Sequence, residues 1–332
     1  MTVPLPVGRG DTAFLLDLSS LARGLFHTLP PAQSEGGEPI AVTAAVSLRL
    51  VQMIAQLRPA FLGVCADGAT AIGEEEDPAA ARLRRYWRAH LWPDYKKDRT
   101  PPGPEYDAQI ERLIDICRAH KIPVFRAPSF EADDFFGALV PRLRRLGLRV
   151  VIVSKDHDLW QLAGPGVAIW DGDLGHALTT AADVEAHYHV PAHWFAAALA
   201  LAGDGDEAPG LPGVGLERAA ALIGRHAPRD GTPLDAAGVV ERVLSRWRWE
   251  STGRGVTSKV GLALRDGAAV ARLSLRLVEL RENGDPVVPV ALDLAELRTG
   301  WDADDARRVR EIGEELSIAV LRSCPARPKA PS

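Results

Sequence analysis

Five short runs, AFLLD (13 to 17), AFLGVCAD (60 to 67), IPVFR (122 to 126), RVVIVSKD (149 to 156) and GVAIWD (166 to 171), constrain this chain most. They are continuously apolar until their last residues, the pattern of strands covered on both faces. Helical patterns alternate with them at about 40 to 56, 106 to 120, 131 to 146 and 157 to 162. That alternation predicts the α/β class with a parallel sheet. From about residue 180 the strands stop and helical patterns take over, at 180 to 189, 191 to 202, 216 to 225, 236 to 248, 268 to 281 and 303 to 322. The chain therefore reads as an α/β domain over 1 to 178 and a helical domain over 179 to 322. The Pro-rich residues 323 to 332 are expected to be a disordered tail.

The acidic residues fall in register with these elements. Asp17, Asp67 and Asp156 each stand at or just beyond the C-terminal end of a predicted strand, the edge where open α/β sheets place their sites. The stretch SFEADDFF (129 to 136) adds Glu131, Asp133 and Asp134 at the start of a helix. Helix-dipole chemistry alone explains acidic residues there. Carboxylates converging on one edge, however, repel one another unless a cation, a proton or solvent neutralises them, and this points to a hard-cation site. Asp158, in DHDLWQL, joins Asp156, and the loop GDGDEA (203 to 208) offers Asp204, Asp206 and Glu207. Oxygen-only ligation of this kind selects Mg²⁺ or Mn²⁺ over Zn²⁺. If the loop is helical, Asp204 and Glu207 share a side; if it is extended, Asp204 and Asp206 do. Asp206 is the expected ligand, with Glu207 the alternate.

A net charge of −5 argues superficially against a nucleic-acid partner, but the distribution matters more than the sum. Arg82, Arg84, Arg85, Arg88, Lys96, Lys97 and Arg99 face only Asp94 and Asp98 within the same stretch, a local basic patch. Trp87, Trp92 and Tyr95 lie among them, where aromatic rings could stack on an unpaired base. Behind the acidic loop, Gly210, Gly213 and Gly215 form a Gly-rich hairpin leading into a helix at about Leu216. Such a hairpin can hold a phosphate on backbone N–H groups without reading bases. No apolar run approaches the roughly 20 residues of a membrane span, and the N-terminus lacks a signal-peptide layout. Cys65, Cys117 and Cys324 are odd in number and lack metal-ligand spacing, the pattern of reduced thiols in a cytoplasmic protein.

In order, FLLDLSSLARGLFHTLP, ADG, RAHLWPDYKKDRTPPGPE, FEADDFFGAL, SKDHDLWQL, GDGDEAPGLPGVG and LRLVELRENGDPVVPVALD resemble the 5′-nuclease family. Its members include the 5′-3′ exonuclease domain of bacterial DNA polymerase I, stand-alone phage 5′-exonucleases and, more distantly, flap endonucleases. The resemblance covers about residues 12 to 295, and the expectation is a nuclease without a polymerase domain. It implies a PIN-like catalytic domain with a helical arch, then a helix-hairpin-helix (H3TH) unit at about 195 to 225. It implies two or more Mg²⁺ or Mn²⁺ ions, on Asp17, Asp67, Glu131, Asp133 and Asp134 and on Asp156, Asp158 and the Asp204/Asp206 pair. Lys96 and Arg99, in the family's YKxxR segment, and Arg88 become the catalytic cations; Tyr95, Lys97, Gly210, Gly213 and Gly215 become DNA contacts. The implied substrate is DNA with free 5′ ends, flaps or nicks, the implied state a monomer, with a monovalent cation at the hairpin. Two features depart from the family: residues 68 to 87 are longer than usual, and one residue instead of two separates Asp204 from Asp206. A branched-DNA binding protein with weakened cleavage is the alternative reading. An RNase of related fold is disfavoured because the hairpin suits duplex DNA.

Overall fold

A computed structural model describes residues 3–6, 8–34, 36–68, 86–100, 103–228, 234–246 and 258–299. Its centre is a sheet of five parallel strands: β1 Thr12–Asp17, β2 Phe61–Cys65, β3 Val124–Phe125, β4 Arg149–Val153 and β5 Val167–Trp170. They run in the order β3-β2-β1-β4-β5, so β1 is central and buried along its whole length. Side chains alternate across β1. Phe14 and Leu16 pack on one face with α1 Leu18–Thr28, α2 Ala41–Leu57 and, further along, α4 Pro104–Ala119. Ala13 and Leu15 pack on the other with α5 Ala132–Arg145. Because both faces are covered, the strands read as continuous apolar runs.

Register aligns the strand ends: Asp17 lies opposite Cys65 on β2, and Leu16 opposite Val153 on β4. Asp67 and Asp156 follow those ends by two and three residues, so all three carboxylates stand along one edge. Between β1 and β4 the chain order reverses direction across the sheet, the switch point at which such sheets open a crevice.

A separate cluster is built mainly from helices. The Ala-rich α7 Phe195–Ala202 is its axis, packed by α8 Leu216–His226, α9 Ala236–Ser245 and α11 Ala268–Val278, with α10 Lys259–Asp266 beside them. Ala89 of α3 Arg88–Leu91 and the ring of Tyr95 are buried in this same cluster.

The division of the chain differs from a break at residue 178. Val184 of α6 Ala181–Tyr188 belongs to the sheet's second face. The chain also returns there after α11, through Leu280, Val288 and Leu297 of α12 Leu294–Leu297. A Cβ on Gly63 would sit 2.9 Å from the Leu297 side chain, so glycine in β2 is what lets this returning segment close on the sheet. Helices α1 and α10 were not anticipated, and residues 157–162 form a 3₁₀ turn. The helix expected at 303 to 322, the tail, most of 68 to 87, and Arg82, Arg84, Arg85 and Cys324 lie outside the described residues. Among the described residues no helix is long and apolar enough to cross a membrane.

Candidate active site

Asp17 ends β1 and caps α1. Its carboxylate accepts from the Ser20 amide at 2.9 Å and from the Ser154 hydroxyl at 2.8 Å. Burial, reinforced by Asp67 and Asp156, nevertheless pushes it up to about 7. Asp67 accepts from the Ala132 amide at 2.9 Å, at the start of α5, and faces Arg23 at 3.4 Å. Its own backbone is fixed at both ends, the N–H donating to Ser19 Oγ (3.1 Å) and the C=O accepting from Arg126 Nε (2.7 Å). The helix that follows each strand thus sets the carboxylate at the strand's end.

At the start of α5 three carboxylates share two cations. Arg88, 1 % exposed, donates to Glu131 (3.1 Å), to both oxygens of Asp134 (2.8 and 3.1 Å) and to Asp133 (3.5 Å). Its Nε donates to the Leu277 carbonyl at 2.7 Å, tying α11 to the same knot. Trp87 Nε1 and the Glu131 amide donate to Asp134 at 3.1 and 2.9 Å. The Tyr95 hydroxyl donates to Glu131 at 2.6 Å, and Lys96 Nζ pairs with its other oxygen. Burial would raise Glu131, but Lys96 and Arg88 outweigh it and hold the carboxyl down at about 2. Burial and the crowding of like charge raise Asp133 and Asp134, with Arg88 opposing. Three negative charges against two positive ones leave one uncompensated. Asp133 is the most open of the three, its side chain 18 % exposed against 8 % and 6 % for Glu131 and Asp134.

Among the described residues, no buried arginine stands at the second group. Asp156 caps the 3₁₀ turn by accepting from the Asp158 amide at 3.0 Å. Carboxylate oxygens of Asp158, Asp204 and Glu207 all lie within 4.8 Å of one another. The Asp204 loop is a closed turn: Glu207 and Ala208 amides donate to the Asp204 carbonyl (2.7 and 3.2 Å), and the Asp204 amide donates back to Ala208 (3.0 Å). The turn is neither helical nor extended: Asp204 and Ala208 pair as an antiparallel bridge with Gly205 at φ +49°, and this closed turn brings the Asp204 and Glu207 carboxylates to one side. Asp206 turns the other way, into a two-pronged pair with Arg99 at 2.7 and 2.8 Å. Burial, then Asp204, Asp156 and Glu207, push Asp158 up to about 9, and burial with Glu207 also raises Asp204. Crowded oxygen donors that would otherwise hold protons are the donor set of a hard divalent cation.

Other predicted residues sit as follows. Tyr95 is 0 % exposed and cannot stack on a base; its place is inside the helical cluster, with its hydroxyl on Glu131. Arg88 is likewise enclosed, and its guanidinium serves the carboxylates instead of facing a phosphate. The buried Lys96 and the half-exposed Arg99 both stand against Glu207, at 3.2 and 2.7 Å. Lys97 points to solvent beside Asp94. A Cβ on Gly210 would lie 2.1 Å from the Gly203 amide nitrogen, so this glycine serves a close chain crossing. Gly213, with φ +74°, has no described atom within 4 Å of a would-be Cβ, and Gly215 precedes α8 as its cap residue without a side-chain bond to the first-turn amides. Sequence reasoning passed over Ser19, Ser154, Arg23 and Gln161. The first two carry a signal, small hydroxyls within two residues of a strand-end Asp; Arg23 and Gln161 carry none.

The profile of the family described as 5′-3′ exonuclease, N-terminal resolvase-like domain, matches residues 12–189. A 5′-3′ exonuclease of Mycobacterium tuberculosis is 33% identical over 336 residues, 93% of this chain and 96% of its own length. DNA polymerase I of Rhizobium leguminosarum is 30% identical over 288 residues, 86% of this chain but 26% of the polymerase. The chain spans a similar share, 31%, of the Bacillus caldotenax DNA polymerase I. Among solved structures, T5 5′-exonuclease with bound zinc ions superposes with TM-score 0.59 at 15% identity, covering 95% of this chain and 100% of that one. That similarity speaks to the fold.

Proposed function

This chain belongs to the 5′-3′ exonuclease family, and on that premise we propose that it hydrolyses phosphodiester bonds near free 5′ ends, flaps or nicks of DNA, using Mg²⁺ or Mn²⁺. One observation carries the reading: Asp158, Asp204 and Glu207 converge on the sheet edge that already bears Asp17, Asp67 and Asp133, with Lys96 standing between the two groups. Asp17, Asp67 and Asp133, with Glu131 behind them, would hold one ion; Asp156, Asp158, Asp204 and Glu207 a second. Bound divalent ions supply an activated water and neutralise charge on the reacting phosphate.

The chain's own groups do the rest. Arg88 and Lys96 keep Glu131 ionised, and Arg88 aims Glu131 and Asp134, so the first site is held in shape before any ion arrives. Lys96 and Arg99 donate to the scissile phosphate, Arg99 through the guanidinium edge that Asp206 does not hold. The first-turn amides of α8 and the turn at Gly213 take a backbone phosphate of the duplex portion without reading its sequence. A monovalent cation at that hairpin, a single-chain active unit and a cytoplasmic location belong to the same proposal. The free, buried thiols of Cys65 and Cys117 support the last of these.

The test uses flap, nicked and single-stranded DNA labelled at the 5′ or the 3′ end, with Mg²⁺, Mn²⁺ or EDTA. The expected outcome is short 5′-end products that vanish in EDTA. Degradation from the 3′ end, or cleavage indifferent to EDTA, would overturn the proposal. Tight flap binding without cleavage at saturating Mn²⁺ would instead favour a branched-DNA binding protein, a reading supported by the cations already seated on Glu207.

A further inference from the structure

Glu207 is claimed three ways. It lies with Asp158 and Asp204 in a grouping fit for a divalent ion, and the same Oε1 also meets Lys96 Nζ at 3.2 Å and an Arg99 nitrogen at 2.7 Å. Lys96 is further committed to Glu131, so one ammonium spans both carboxylate groups. It is nearly enclosed, with 8 % of its side chain exposed. Its backbone is pinned as well, the Lys96 amide donating to the Asp206 carbonyl at 2.8 Å. An ammonium between crowded carboxylates does electrostatically what a metal would do there, though with hydrogen-bond donors in place of coordinate bonds.

We propose that Lys96 and Arg99 are displaceable counter-ions of the second site: a divalent cation taking Glu207 exchanges with them and frees both to meet a substrate phosphate. This rests on the reading of Asp158, Asp204 and Glu207 as metal ligands. The exchange conserves charge compensation. Before it, Glu207 is neutralised by two side chains; after it, by the ion, and each released cation keeps one carboxylate, Glu131 for Lys96 and Asp206 for Arg99, while an anionic substrate takes the place of Glu207. Asp206 gives the exchange its limits, because its two-pronged hold on Arg99 and its carbonyl bond to the Lys96 backbone keep both residues beside the site after Glu207 lets go. Metal occupancy and phosphate capture would thereby be ordered, with the ion first.

Chemical labelling of lysine amines, without DNA, tests this. The metal-free protein is exposed to an acetylating ester at increasing Mn²⁺, site occupancy is followed in parallel by calorimetry, and labelled positions are read by tandem mass spectrometry. Lys97, exposed beside Asp94, is the internal reference. Lys96 labelling should rise about tenfold as the second ion binds, as expected when a protected group opens locally, while Lys97 stays constant. Two bound ions with flat or falling Lys96 labelling would overturn the exchange and leave the metal site standing. No bound ion at any concentration would overturn both. Arg99→Met provides a second measure: with one competing cation gone, Mn²⁺ should bind the second site about threefold to tenfold more tightly, and unchanged or weaker binding counts against the exchange.

Discussion

The two carboxylate groups on the sheet edge solve one electrostatic problem differently. Around Glu131 and Asp134 the protein supplies its own cation, the fully enclosed Arg88, and surrounds it with donors from Trp87, Tyr95 and Lys96. Around Asp158, Asp204 and Glu207 the described residues supply no cation of their own, and Glu207 borrows Lys96 from Glu131 and Arg99 from Asp206. Glu131 is accordingly held at about 2, whereas Asp158 is pushed to about 9. A carboxylate can thus stand in such a cluster as structure, with a fixed partner, or as a binding group kept short of one. The second kind costs stability until its ligand arrives.

The sharpest way to break this comparison is to remove the fixed partner. Arg88→Met should destabilise the metal-free protein by about 3–5 kcal/mol in chemical denaturation, because it strands Asp134 buried without a cation and leaves Glu131 with Lys96 alone. Arg88→Lys should rescue little, since an ammonium cannot reproduce the fork. Asp158→Asn should move stability the other way, raising it by about 1 kcal/mol in the same assay. A large loss in Asp158→Asn would mean that the two groups are alike.

Activity sharpens the contrast next. Asp158→Asn should lower single-turnover cleavage of a flap substrate by about 100-fold or more at fixed Mn²⁺, while flap binding stays within about threefold. Cleavage within tenfold of the parent would remove Asp158 from the site.

pH separates the groups by the sign of its effect. Asp158 binds its proton more tightly folded, at about 9, than its ordinary 3.8, so its contribution favours the metal-free fold at low pH and is lost as pH rises through that window. Glu131, held at about 2 against 4.5, contributes stability above pH 4.5 that is lost as pH falls toward 2. Melting curves should therefore show metal-free stability declining by about 2 kcal/mol between pH 5 and 9, with saturating Mn²⁺ removing the decline because the ion replaces the proton. A flat metal-free profile would contradict the bare character of the second group.

The smallest effect concerns the loop at 204 to 207. Glu207→Gln should shift the Mn²⁺ midpoint upward about tenfold, whereas Asp206→Asn should leave it within about twofold while loosening Arg99. The reverse order would return the ligand role to Asp206.

Much of this was legible in the chain because strands covered on both faces must be continuously apolar, and the Asp at the end of three of the five runs, Asp17, Asp67 and Asp156, marks the site edge. Helix α1 escaped notice because Asp17 belongs to two elements at once, the last strand residue and a helix cap. The competition between Asp206 and Glu207 turns on whether residues 204 to 208 close a turn, and the Asp204–Ala208 hydrogen bonds that decide it leave no mark in residue types. Arg88 and Tyr95 look in sequence like any residues of a basic, aromatic stretch. Their enclosure comes from α11 and α7 arriving from more than a hundred residues away, a contact no local pattern encodes.

The return of the chain after α11 has a mechanical consequence. The helical unit is anchored to the sheet body at both of its ends, near Val190 and Ala192 on entry and near Leu280 on exit. A body hung from one hinge can swivel freely, but one hung from two can only rock about the line between them. Even that rocking meets a stop, because Gln161 donates to the Val278 carbonyl at 3.0 Å and accepts from the Leu280 amide at 2.9 Å beside the exit anchor. A duplex gripped by the α8 hairpin would therefore be delivered to the carboxylate edge along a nearly fixed arc. On the proposed role of that hairpin, the span between it and the edge would set the length of strand that reaches past the grip.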